Sequence, residues 1–259
     1  MTLRIVVAAH KPYPMPSGDA YLPVQVGAAG KPSIAGFRRD DEGENISARN
    51  ANWCELTGLY WAWKNLEADA IGLVHYRRHF KATPERIAAL LERHDIILPR
   101  RRNYFIETNY SHYAHAHHAI DLDLTRAILS ERHPECVLAF DRVMKRTSGH
   151  RFNMLVMKRA TLDAYCTWLF DILFELERRL DISSYSKNDA RVFGFVAERL
   201  LDVWIEVTGQ SYAELPVRNL ESQHWPRKIA NFLLRKFRGL GMSLEIAHHC
   251  RSDKCVTSG

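Results

Sequence analysis

The sequence predicts one α/β domain with a largely parallel central sheet flanked by helices, and three features carry that expectation. Residues 4–9 and 70–74 are short, unbroken apolar runs, the form of strands covered on both faces. Further apolar runs at 95–99 and 152–157 are separated by stretches of helical period. Strands that alternate with helices build parallel sheets through crossover units. At 259 residues the chain is long enough to bury one sizeable core.

The elements follow in order. The first strand, 4–9, runs into a proline-rich turn that begins His10, Lys11, Pro12, Tyr13. Residues 17–50 read as loop, rich in Gly, Pro and Asp and without a period; a long loop in a compact domain is more often functional than decorative. From 47 to 66 the pattern is helical and aromatic, carrying Trp53, Leu56, Tyr60, Trp61 and Trp63, with Ser47 suited to the N-cap and Asn50 three residues on. These tryptophans read as core rather than as stacking platforms. The run 70–74 ends in His75, Tyr76, Arg77 and Arg78. A helix over 84–93 carries Ile87, Leu90 and Leu91, and the strand 95–99 ends in Arg100, Arg101 and Arg102. Residues 104–146 are mostly helical, with Leu122, Leu124, Ile128 and Leu129 along one stretch. After the strand 152–157 come long helices at 160–181 and 189–208 and a short strand near 215–217. The folded domain is expected over 1–224, with a basic amphipathic helix over 225–240 and little order over 241–259. In that helix Ile229, Phe232, Leu233 and Phe237 share one face and Lys228, Asn231, Arg235 and Arg238 the other. This is the form of a helix drawn to anionic lipid, and equally of one packed on its own domain.

A net charge of +6 favours anionic partners. No apolar run approaches the roughly eighteen residues of a membrane span, and the N-terminus lacks a signal-peptide pattern, so a cytoplasmic protein is expected. Five cysteines, odd in number and scattered, exclude a disulfide framework. Neither a P-loop, a dinucleotide fingerprint nor a nucleophile elbow is present.

Candidate chemistry centres on the end of the strand 70–74, because α/β folds gather ligands beyond the carboxyl ends of their strands. Arg77 and Arg78 offer two planar, permanently charged groups to a phosphate or carboxylate; the plain alternative is a pair of surface arginines. Asp-x-Asp, which holds a divalent ion in many nucleotide-sugar transferases, is missing there, so cations in that slot can neutralise a diphosphate directly. The run containing His112, His115, His117 and His118 lacks the glutamate of a zinc-protease helix and reads as cleft or packing histidines. On the helix 189–208, Val192, Val196, Leu200, Val203 and Val207 form the core stripe. Glu198 points away from it, beside Arg191, Phe195, Asp202 and Ile205. It suits a general base, or a solvated glutamate in helical charge pairs.

Several of these segments occur together, and in this order, in one family. They are His10 to Tyr13, Asn45 to Ser47, Glu55 to Asn65, Gly72 to Arg78, Thr147 to His150, Phe152 to Met154 and Gly194 to Leu200. Over residues 3–225 the chain resembles the domain of unknown function 4422, found in capsular and exopolysaccharide gene clusters. The resemblance implies a GT-A-like fold and a glycosyltransferase. It also implies transfer of galactofuranose from UDP-galactofuranose during O-antigen and capsule assembly, giving a β-linkage. A β-linkage from an α-linked donor means inversion, with one general base and in-line attack. On this basis His10, Lys11 and Tyr13 serve the nucleotide side, with Asn45 and Asn50 reading base or sugar. His75, Arg77 and Arg78 hold the diphosphate, and Asn153 faces the sugar. Glu198 is the first choice for the base, with Glu55 and Asp189 open; His112, His150, Asp189 and Arg191 are assigned to the acceptor. No metal or other cofactor is expected. The acceptor is expected to be a lipid-linked glycan at the inner face of the cell membrane. UDP-galactopyranose is the alternative donor. A nucleic-acid-binding module built on Arg100, Arg101, Arg102 and the basic tail is the rival class, weakened by dispersed charge and the lack of an aromatic–basic motif.

Overall fold

Strand β1 (Leu3–Ala9) shows why its sequence is unbroken apolar. Val6 and Ala8 enter one hydrophobic core, Ile5, Val7 and Ala9 a second on the opposite face of the sheet, and all five are buried. The structure, a computed structural model, describes residues 1–221. After β1 come β2 (Tyr21–Gln25), β3 (Arg38–Arg39), a 3₁₀ turn, α1 (Asn50–Trp53) and α2 (Leu56–Asn65). Next are β4 (Ala70–His75), β5 (Arg78–Phe80), α3 (Pro84–Leu91), β6 (Ile96–Pro99) and β7 (Arg102–Asn103). Then α4 (Asn109–Ala114), α5 (Ala119–Arg132) and α6 (Val137–Lys145) lead to β8 (Ser148–Gly149) and β9 (Leu155–Lys158). The long helices α7 (Arg159–Arg179) and α8 (Val192–Thr208) precede β10 (Tyr212–Leu215) and β11 (Val217–Asn219).

The main sheet has the order β10-β6-β9-β4-β1-β2-β3. Its strands are parallel except β9, which lies antiparallel between β6 and β4. That reversal brings the start of β9 to the edge where β1 and β4 end. After β4 the chain turns back at Tyr76 and Arg77 so that His75 pairs with Arg78, and β11 pairs with β5 beyond it. Helix α3 buries Ile87 and Leu91 in the second core, while α2 and α5 to α8 pack against the first.

Four expectations change. The stretch 17–50 is not all loop, since β2 and β3 lie within it. The helix expected over 47–66 breaks at Cys54, where φ is +53°. Asn50 drives the break, because its Nδ2 donates to the Cys54 carbonyl (2.6 Å) and to Thr57 Oγ1 (3.0 Å), competing with the helical ladder. Ser47 is no N-cap; its hydroxyl donates to Asp40 and accepts from Ala29 N–H (3.1 Å), tying down the preceding loop. On α8 the stripe holds for Val192, Val196, Leu200 and Val203, but Val207 is 37% exposed, and Asp202 and Ile205 on the other side are buried as well. The amphipathic helix expected over 225–240 and the tail beyond it lie outside the described residues.

Candidate active site

A cleft of about 600 Å³ opens over the carboxyl ends of β1 and β4. Three walls close it: the β4–β5 turn with His75, Tyr76, Arg77 and Arg78; the α1–α2 break with Asn50, Cys54 and Glu55; and α8 with the segment before it, bearing Lys187, Arg191, Phe195 and Glu198. His10 stands at the end of β1 and Phe152 at the floor. Four cations (Arg77, Arg78, Lys187 and Arg191) thus face two carboxylates, Glu55 and Glu198, in one cavity. Such a field favours an anionic ligand.

The arginines are held, not loose. Arg78 lies over the Phe152 ring (4.5 Å) and its Nε donates to Asn219 Oδ1 (3.2 Å); burial and then Arg77 pull its guanidinium below the ordinary arginine range. Arg77 lies over the Tyr76 ring (5.2 Å) and its Nη1 donates to Glu221 Oε2 (3.3 Å). Arg191 covers the Phe195 ring (5.2 Å) and donates through Nε to Cys54 Sγ (3.1 Å). Burial, reinforced by Glu55, pushes the Cys54 thiol up to about 11, so it stays protonated at neutral pH. His10 is lowered by burial and then by Arg77, which favours the neutral imidazole.

The backbone at the start of β9 joins the two carboxylates. Phe152 and Asn153 both take left-handed φ angles, +79° and +50°, a strain that the surrounding hydrogen bonds hold in place. Phe152 N–H donates to Glu198 Oε1 (2.9 Å) and its carbonyl accepts from His75 Nε2 (2.6 Å). Asn153 Nδ2 donates to Glu55 Oε1 (2.8 Å) and to the Gly194 carbonyl (3.0 Å). Glu198 Oε2 accepts from Arg199 Nη1 (3.1 Å) and stands 4.0 Å from Arg151 Nε. Both of those arginines are buried, and burial lowers each, Arg151 to about 9. Glu198 is therefore also their counter-charge.

Of the residues expected at the site, His10, Asn50, Glu55, His75, Arg77, Arg78, Arg191 and Glu198 come together in the cleft. Lys11 and Tyr13 sit beside it, around the Tyr76 ring (5.6 and 4.9 Å). Asn153 lies beneath the lining and is 5% exposed, its amide engaged as above. Asn45 is elsewhere, donating to the carbonyls of Asp41 and Gly43. His112 bonds Glu107 (2.9 Å) and stacks on Tyr104. Asp189 accepts from His117 (3.0 Å) and from Ser186. His150 is fully buried between Asp202 Oδ1 (2.5 Å) and Glu214 Oε1 (3.1 Å), out of reach of any acceptor. Sequence reasoning missed Lys187; its nearness to Asp189 and Arg191 was the one available signal. Among the described residues no three His, Cys, Asp or Glu side chains gather as a metal-ligand set.

The chain is similar to the apo structure of WbbM, a bifunctional glycosyltransferase, at 29% identity and a TM-score of 0.80, covering 86% of this chain and 46% of that one. It thus spans about half the length of that protein. No curated protein matches the sequence. The domain of unknown function DUF4422 matches residues 4–209, most of the described fold, and the chain belongs to that family.

Proposed function

We propose that the protein is a glycosyltransferase of polysaccharide assembly, moving galactofuranose from UDP-galactofuranose onto a lipid-linked glycan with inversion. The observation that carries this reading is the juxtaposition of four cations and two carboxylates over the strand ends of a fold shared with a glycosyltransferase. Arg77 and Arg78 hold the diphosphate, and fixed guanidinium charge stabilises it as it leaves. Lys187 and Arg191 supply charge from the opposite wall. Glu198 takes the proton of the acceptor hydroxyl. The acceptor oxygen then bonds to the anomeric carbon while the bond to the diphosphate oxygen breaks, its electron pair leaving with UDP.

In-line displacement needs the base across from the leaving group. Glu198 stands on α8, whereas Glu55 lies 3.7 Å from His75 Nε2, at the strand end to which we assign the diphosphate. The Phe152 N–H and Arg199 fix the Glu198 rotamer and leave each carboxylate oxygen a further lone pair for the incoming hydroxyl.

The test is transfer from UDP-galactofuranose to a panel of lipid-linked galactosides in EDTA. Product is expected. Product only after manganese is added would keep the transferase and overturn the direct arginine clamp. Product only from UDP-galactopyranose would change the donor, and no product from either would reject the reading.

A further inference from the structure

Between β6 and α4 the chain presents Phe105, 82% exposed, beside Ile106, 60% exposed. An apolar pair in water usually marks chain with little to hold it, but this one is tied at both ends. Tyr104 on one side and Glu107 on the other are 5% and 6% exposed. Tyr104 N–H donates to the Thr147 carbonyl (2.7 Å), and the Glu107 carboxylate accepts from His112 and His115 (2.9 and 2.7 Å). The turn itself is fixed: Asn103 Oδ1 accepts from Phe105 N–H (2.7 Å), and Phe105 takes a φ of +60°, uncommon for an aromatic residue.

Three consecutive arginines precede the pair. Arg101 turns inward, 3.7 Å from Glu214 and 4.0 Å from Asp202, while Arg100 and Arg102 are exposed and make no ion pair among the described residues. An apolar tip flanked by unpaired cations complements the headgroup boundary of an anionic bilayer. The Tyr104 hydroxyl accepts from Arg151 Nε, and Arg151 stands 4.0 Å from Glu198, so the residue preceding the tip is linked to the α8 side of the cleft.

We propose that residues 100–106 form a membrane-docking loop, Phe105 and Ile106 entering the acyl boundary of an anionic phospholipid bilayer while Arg100 and Arg102 bind its headgroups. The surface is distinct from the expected helix at 225–240.

The test is co-sedimentation of the full chain with phosphatidylglycerol/phosphatidylcholine vesicles. Vesicle binding is read without turnover, so its outcome is separate from the reaction proposed for the cleft. Phe105→Ser with Ile106→Ser is expected to weaken binding about tenfold or more, since both apolar contacts go. Arg100→Ser with Arg102→Ser should weaken it about fivefold per arginine and flatten its salt dependence. Both variants should melt with the parent, because the altered side chains are exposed. Unchanged vesicle binding by the Phe105/Ile106 variant would overturn the proposal and place any docking elsewhere. So would a parent protein that ignores anionic vesicles but binds mixed RNA.

Discussion

Glu198→Gln separates the two roles that Glu198 holds. The carboxylate accepts from two donors, Phe152 N–H and Arg199 Nη1, one on each oxygen. Glutamine has one oxygen, so whichever way the amide turns, its NH₂ faces one of those donors. Arg199 Nη1 keeps the Phe195 carbonyl (2.8 Å), but the amide leaves the buried Arg151 and Arg199 without their counter-charge, a loss of about 3–5 kcal/mol. For a domain of this size that lowers the melting temperature by roughly 6–20 °C. Losing the base should lower kcat by about 10²–10⁴, or about 3–5 kcal/mol in the barrier. Glu55→Gln is the matched control. Its Oε1 can still accept from Asn153, and no hydrogen bond to its Oε2 is seen among the described residues, so it should melt with the parent and keep kcat within about tenfold. Both are measured by transfer assay well below the melting transition and by calorimetry. If Glu55→Gln loses more than about a hundredfold with its melting point unchanged while Glu198→Gln stays active, the base is Glu55 and the in-line argument fails.

Arg78→Ala should cut kcat/KM by about 10²–10³, the scale of one lost oxyanion contact, with little change in melting. Arg78→Lys should not restore it, because the ammonium cannot reproduce the planar stack on Phe152; recovery with lysine would argue against that geometry. His150→Ala should act on stability, by about 1–3 kcal/mol, since the buried Asp202 loses its Nδ1 partner and keeps the backbone N–H of residue 150 and Arg101 at 4.0 Å. A raised acceptor KM with unchanged melting would instead return His150 to the site. Acid should weaken the fold. His10, His79, His112 and His117 are all lowered from 6.5, each chiefly by burial. Below pH 6.5 the unfolded chain therefore binds protons that the folded one refuses, and stability drops as pH falls toward the folded values. Urea midpoints that stay level or rise on going below that pH would contradict these burial effects.

What the sequence made legible was whatever its local pattern recorded. Strands β1 and β4 were plain because both faces are buried, and the arginines after β4 were plain because strand ends gather ligands. Strand β2 was hidden by Pro23 and by side chains only half-buried. Pro23 is tolerated because β3 pairs only with Val24 and Gln25, so the missing N–H breaks no bond on that side. Glu55 reaches the cleft only because the helix breaks at Cys54, and the cause is the Asn50 side chain, invisible to a helical period. The histidines fared worst, since residue type says nothing of burial. His150 is enclosed by Asp202 from α8 and Glu214 from β10, both more than fifty positions away in the chain. The same closure explains the cleft. Arg77 and Arg78 come from one strand end, but Glu198 and Glu55 are tied in place by Phe152 and Asn153, two non-glycine residues in left-handed conformations. The two left-handed residues thus place backbone strain at the joint between the α8 wall and the α1–α2 wall. On that view, changes at Asn153 should alter turnover through Glu55 and Glu198 although Asn153 itself lies beneath the cleft lining.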